Sequence, residues 1–143
     1  MSRIFKSYGF MTGKVEQLFE LEFAEKLKPF NINAKQYGVL IKIDEKPHLS
    51  QKEVAAELKI DRTTMVSFID HLEALKYLTR TKNPKDRRSY SLTITVQGKQ
   101  ILESCWGLME QSERKILSSL SNEEADMLGG ILMKILETRR INE

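Results

Sequence analysis

Arg62, Thr63, Thr64 and Ser67 follow directly on Asp61, and at helical spacing such residues project together near the positive end of a helix dipole. Short hydroxyls plus one arginine suit base edges and phosphate oxygens: the guanidinium can grip a guanine in bidentate fashion while the hydroxyls reach neighbouring bases or the backbone. Downstream, Asn83-Pro84-Lys85-Asp86-Arg87-Arg88 separates two strand-like runs. Asparagine before proline is turn chemistry, so Lys85, Arg87 and Arg88 are expected at a hairpin tip, where cations suit a narrow, electronegative minor groove. From Pro47 to Thr95 nine Lys or Arg face six Asp or Glu, so the whole net charge of +3 falls in this segment. Lys76 to Arg88 alone holds six cations against Asp86.

Other chemistries find little support. There is no glycine-rich phosphate loop and no nucleophile with an identifiable base, so an enzyme is not expected. His48 and His71 are too isolated to suggest a metal site, and no cofactor is implied. The single Cys105 excludes an internal disulfide framework. It sits on the apolar face of its segment without an obvious cationic neighbour and reads as an inert thiol, with redox sensing through Cys105 as the alternative. No apolar run approaches membrane-spanning length and Met1 to Lys6 lacks a signal-peptide core, which makes the cytoplasm the expected location.

The elements that must position these residues are legible from capping and periodicity. Ser50-Gln51-Lys52-Glu53 is a capping box flanked by Leu49 and Val54 as a hydrophobic staple, and opens a first short helix. Asp61 is a good N-cap for the second, whose Met65, Phe68, Ile69, Leu72 and Leu75 form a single stripe to be buried. Only Lys59-Ile60 joins the two helices, a tight corner that no glycine marks. Leu78–Lys82 and Ser89–Ile94 then read as paired strands, with Tyr90, Leu92 and Ile94 inward. Ahead of this centre, about Phe5 to Lys28 is helical in pattern around Val15, Leu18, Phe19 and Phe23, and Asn33 with Gln36 caps a helix that turns Tyr37, Leu40, Ile41 and Ile43 inward. Beyond it, Thr95 caps a long helix to about Leu117, and Ser121-Asn122-Glu123-Glu124 opens a last one. The apolar face of that last helix, Met127, Leu128, Ile131, Leu132, Ile135 and Leu136, is too wide for a terminal helix of a small protein, and a second subunit is the economical explanation. The fold class is therefore mainly α with a small β-hairpin wing (α+β), a winged helix-turn-helix.

These residues also resemble a known family. Leu49-Ser50-Gln51-Lys52-Glu53-Val54-Ala55, Asp61 to Val66 running on to His71-Leu72-Glu73, the wing Asp86-Arg87-Arg88-Ser89 and the exit Ile94-Thr95-Val96-Gln97-Gly98-Lys99 are similar to the multiple antibiotic resistance regulator (MarR) family of bacterial transcription factors. Phe30 to Tyr37 extends the likeness towards the N-terminus, and Lys76 departs from it where the family often has glycine. A left-handed backbone at Lys76 would cost about 1 kcal/mol, which the fold can carry. The resemblance implies a single domain: residues 1–33 and 96–143 would form a helical dimerisation part and 34–95 the DNA-binding winged helix-turn-helix. The expected contacts to double-stranded DNA are Ser50, Gln51, Arg62, Thr63, Thr64, Ser67, Lys85, Arg87 and Arg88. Arg88, which matches the family's Asp-x-Arg wing motif, is expected in the minor groove with Asp86 positioning it. The resemblance further implies a homodimer on a pseudo-palindromic operator and a repressor released by a small, aromatic effector, for which Phe10, Met11, Phe19, Tyr37, His48 and Trp106 are candidate lining residues. A winged-helix module for protein interaction, without specific DNA binding, is the competing class, because a fold does not fix a function.

Overall fold

The computed structural model describes residues 1–47 and 49–140, the side chains of Arg87 and Arg140 excepted. A 3-10 turn at Arg3–Lys6 precedes helix α1, Tyr8–Leu27. Ser7 opens that helix, its hydroxyl accepting the Phe10 N–H, so the regular helix starts later than the apolar pattern from Phe5 suggests. A second 3-10 turn, Lys28–Phe30, and a left-handed Asn31 form an elbow into α2, Ala34–Glu45. The reciprocal box at α2 is formed as expected, Asn33 accepting from the Gln36 N–H at 2.8 Å and Gln36 from the Asn33 N–H at 2.9 Å.

Helices α3, Gln51–Leu58, and α4, Arg62–Ala74, follow, and α3 carries the Ser50–Glu53 box. The corner between them turns on Lys59, whose φ of 53° provides the bend that a glycine would make more cheaply. Lys76 likewise sits at φ 63°, the left-handed exit anticipated from its sequence position. Strands β1, Leu78–Asn83, and β2, Asp86–Ile94, form one antiparallel hairpin in register from Leu78 opposite Ile94 to Lys82 opposite Tyr90. A long α5, Val96–Ile116, and α6, Asn122–Arg140, complete the chain. The Thr95 hydroxyl caps α5 through the Gly98 N–H and donates to the Lys76 carbonyl, tying the helix start to the base of the wing. Gly98 is required there, since a Cβ would fall on the Tyr77 carbonyl.

The core lies under the helix-turn-helix. Leu27, Tyr37, Leu40, Ile43, Val54, Met65, Ile69, Leu72, Leu78, Leu92 and Cys105 are all essentially inaccessible, so the stripe read from α4 is the one that packs inward. Each such side chain contributes about 1.5–3 kcal/mol relative to exposure. One inward assignment is corrected. Tyr90 is 41% exposed and lies beneath Arg80, whose Cζ is 5.4 Å from the ring centroid. Val15 and Leu18 of α1 are exposed as well, because within one chain only the C-terminal half of that helix, at Phe23 and Leu27, reaches the core. Helix α6 buries even less: Met127, Ile131, Leu132, Ile135 and Leu136 all stand exposed. Gly129 and Gly130 face open space, so nothing among the described residues requires a glycine at either. No helix among the described residues is long and apolar enough to cross a membrane.

Candidate nucleic-acid interface

Burying Met65, Ile69 and Leu72 fixes the rotation of α4, and the residues left outside are Arg62, Thr63, Val66 and Ser67 in its first half and Asp70, His71 and Ala74 in its second. Arg62 makes no hydrogen bond or ion pair among the described residues, so its guanidinium is available. Thr64 is only half-exposed and already engaged: its backbone N–H donates to Asp61 Oδ1 at 2.9 Å and its hydroxyl to Oδ2 at 2.7 Å. Those bonds hold the Asp61 carboxyl below its ordinary range and leave the Thr64 oxygen as an acceptor only. Val66 is a residue the sequence reading passed over. At 38% exposure it puts an apolar surface between Arg62 and Ser67, the kind of group that meets a thymine methyl.

The expected contacts at the start of α3 are placed differently. Ser50 is buried at 6% exposure, its hydroxyl capping the Glu53 N–H and its backbone bridging Ser91 of β2, so it serves the fold first. Gln51 is half-buried and its Oε1 is enclosed without a hydrogen-bond partner among the described residues. Glu53 accepts the Ser50 N–H at 2.7 Å, which lowers its carboxyl from the usual range.

The wing departs from the simple hairpin tip. Its turn is only Pro84-Lys85, and β2 begins at Asp86, so Arg87 and Arg88 lie within the strand. Between the pairs Lys82–Tyr90 and Asn83–Asp86 the first strand advances one residue and the second four, leaving Arg87, Arg88 and Ser89 in a bulge. Asparagine and aspartate side chains build it: Asn83 Oδ1 accepts the Lys85 N–H at 3.0 Å, and Asp86 Oδ1 the Arg88 N–H at 2.9 Å. Asp86 thus positions the backbone of Arg88 rather than pairing with its guanidinium, which stays exposed and unpaired among the described residues. The Arg87 side chain lies outside the described residues.

Arg80 is the cation whose role the charge count hid. Its guanidinium donates to Asp70 at 2.6 Å, lies 3.3 Å from Glu73 and covers Tyr90, bracing the wing against the C-terminal half of α4. These partners raise its pKa, the Asp70 hydrogen bond most of all. One of the six cations between Lys76 and Arg88 is therefore spent inside the molecule, while Lys82, Lys85 and Arg88 remain exposed. Two bonds link the reading helix and the connection that follows it to the elbow between α1 and α2: His71 Nε2 of α4 to the Asn31 carbonyl at 2.6 Å, and the hydroxyl of Tyr77, just before β1, to the Phe30 carbonyl at 3.0 Å.

The candidate effector residues are not gathered into one cavity. Phe10 and Trp106 are exposed, Met11 is half-exposed, and His48 lies outside the described residues. Tyr37 is buried, its hydroxyl donating to the Leu102 carbonyl at 2.8 Å, and burial drives its pKa far upward. Phe19 alone lines a groove, of about 280 Å³, between α1, the start of α2 and α5, with Glu16, Glu20, Phe23, Ala34, Lys35, Met109, Ser112 and Glu113. Cys105 is fully buried, which pushes its thiol up to about 11 and away from the reactive thiolate.

Comparison with known proteins gives a consistent picture. A family model described as the MarR family matches residues 32–90. The HTH-type transcriptional regulator BilQ of Clostridium symbiosum is 28% identical over 134 residues, covering 94% of this chain and 93% of its own length. Among solved structures, the transcriptional repressor CouR bound to a 23-mer DNA duplex superposes with a TM-score of 0.87 at 27% identity, over 95% of this chain and 96% of that one. A mutant MarR from E. coli complexed with operator DNA gives 0.78 at 26% identity, over 90% and 92% of the two chains.

Proposed function

From its match to the MarR family of transcriptional regulators over residues 32–90, we propose that this chain is a sequence-specific, double-stranded DNA-binding repressor of that family that works as a homodimer and is released by a small effector. The observation that carries this reading is the outer face of α4, where Arg62, Thr63, Val66 and Ser67 stand exposed beside a wing whose Lys85 and Arg88 are equally open. In this reading α4 enters a major groove, Arg62 grips a guanine, and Thr63, Thr64 and Ser67 address neighbouring bases or phosphates. Arg88 enters the adjacent minor groove and Lys85 and Arg87 meet phosphates. Ser50 and Gln51, held at the start of α3, reach the backbone only through what their roles in the fold leave free.

Residues 34–95 form the reading part, and residues 1–33 and 96–143 the dimerisation part. The exposed apolar side chains of α1 and α6 support that division, since a contiguous apolar face on a protein surface marks an interface. A two-fold dimer would place its reading helices in successive major grooves about 34 Å apart, matching a pseudo-palindromic operator. The groove beneath Phe19 lies between the two parts, where a ligand can favour one arrangement of the reading heads over another. The buried, protonated Cys105 argues against redox release, and an interaction module would have little use for open cations on both α4 and the wing.

The test is binding to DNA from the protein's own upstream region, titrated against salt with a scrambled duplex as control. Preference for the native duplex, with log affinity falling steeply against log salt, is the expected result; the slope counts phosphate contacts at about 0.9 each. Equal weak binding to both duplexes would transfer the assignment to the interaction module.

A further inference from the structure

We propose that the groove between α1, α2 and α5 binds an amphipathic organic cation, an ammonium carried on an aromatic or alkyl body. The inference deepens the effector reading above by naming the chemistry of its ligand, and rests on it only for the consequence of binding. The groove has an apolar floor and an acidic rim. Phe19 and Phe23, one turn apart on α1, meet Met109 of α5 across the floor, and Phe23 is fixed edge-on against Tyr37 with ring centroids 5.4 Å apart. Glu16 and Glu20, also one turn apart, form one wall of the rim, and Glu113 of α5 closes the other.

None of these three carboxylates has an ion pair or side-chain hydrogen bond among the described residues, whereas Glu22 of α1 is paired with Lys115 of α5 at 3.0 Å. Ser112 is not a free donor for an anion, because its hydroxyl is given to the Met109 carbonyl at 2.8 Å. Burial and the neighbouring Glu110 raise the Glu113 carboxyl from its usual value, the mark of a charge short of a counterion. Among the described residues Lys35 is the one cation on the rim, but it borders a second depression, beside the α3–α4 corner, and its long stem can lay the ammonium over either. The groove therefore carries three negative charges against at most one positive charge. An anionic aromatic would meet repulsion, while an ammonium would face carboxylates on two sides with its apolar body on the phenylalanine floor. The volume suits one ring with a short chain, at the small end of ligand sites.

Calorimetric titration of the full chain without DNA, using phenylbutylammonium, phenylbutanol and phenylbutyrate, separates charge from shape because the three probes share one body. The ammonium should bind best and the carboxylate worst. Glu20→Gln and Glu113→Gln should each weaken the ammonium about fivefold, the upper range for a partly exposed ion pair, and leave the alcohol unchanged. Equal binding of all three probes, a preference for the carboxylate, no heat with the ammonium, or variants that weaken every probe alike would each overturn the proposal. Adding operator DNA afterwards tests the other reading on its own: an ammonium that binds by these criteria but leaves the DNA complex intact supports the site and removes the release step.

Discussion

Among the described residues, the winged lobe leaves Arg62, Thr63, Ser67, Lys85 and Arg88 exposed and unpaired, with Val66 between them, whereas helices α1 and α6 of the arms expose, beside their charged residues, a run of large apolar side chains, namely Val15, Leu18, Leu21, Met127, Ile131, Leu132 and Ile135. Water satisfies the first kind at little cost and penalises the second. Within one chain the lobe can therefore hold its shape, its stripe buried, its caps closed and its core completed by Leu27 of α1 and Cys105 of α5, and keep an open polar face ready for a polyanion. The arms cannot be at rest in the same sense, because their exposed faces lower their free energy only by meeting another apolar surface. Under the proposed function recognition falls to one half of the molecule and assembly to the other, and the elbow at Phe30 and Asn31, just past α1, is hydrogen-bonded to the lobe at His71 and Tyr77.

Breaking the arms should have the largest effect. The double variant Ile131→Glu with Ile135→Glu is expected to sediment as a monomer and to lose about a hundredfold in affinity for a palindromic duplex, since two linked heads gain at least that much over one. Its affinity for a half-site should stay near that of a single wild-type head. A dimer surviving both charges would mean that α6 is not the contact.

The lobe should answer differently, through stability. Leu72→Ala removes a fully buried side chain from the stripe of α4 and is expected to cost about 2–5 kcal/mol in urea unfolding. If this variant left stability intact but abolished dimerisation, the division between the two halves would be wrong.

The parts of this contrast that were legible in the sequence are the ones encoded by near neighbours. Asn33 with Gln36, Ser50 with Glu53 and Ser121 with Glu124 all close as reciprocal caps, because each needs only residues three apart. The α4 stripe was readable for the same reason, whereas the left-handed Lys76 was suggested only by the family resemblance, at a position where glycine is frequent. What depends on a second element was not. Arg80 counted as one more surface cation until Asp70 and Glu73 of α4 were placed beside it. Ser50 was legible as a cap, but its expectation as a DNA contact could not anticipate its burial against Ser91 of β2. The wing tip looked like six loop residues because strand periodicity does not report a bulge, and the exposure of Val15 and Leu18 depends on what meets α1 from outside the chain.

Within the lobe, the reading helix and the wing should differ in kind. Arg62→Ala is expected to cost about 1–3 kcal/mol on the cognate duplex and to relax preference at one position, whereas Lys85→Ala should weaken all sequences alike and reduce the salt slope by about 0.9. The comparison is made by competition binding on a panel of single-base variants. A flat specificity profile change in both variants would remove the distinction between base reading at α4 and phosphate contact at the wing.

The smallest effect concerns how the reading face is held. Asp61 is exposed, and the Thr64 N–H and hydroxyl keep its carboxyl below the ordinary range near 4, as the Ser50 N–H does for Glu53. A carboxyl whose pKa is lower folded than unfolded adds stability above the unfolded value and loses it as pH falls through the folded one. Wild-type stability should thus be steady in this respect from pH 7 to about 4 and decline below it. Asp61→Asn keeps an acceptor for the Thr64 N–H but cannot be protonated in this range, so the gap between it and the wild type should narrow as the pH drops below about 4. Urea unfolding of both proteins from pH 7 to pH 2 measures that gap. If it stayed constant across the range, the cap at the head of α4 would owe nothing to its charge, and Asp61 would be no more than a neutral hydrogen-bond acceptor beside the reading face.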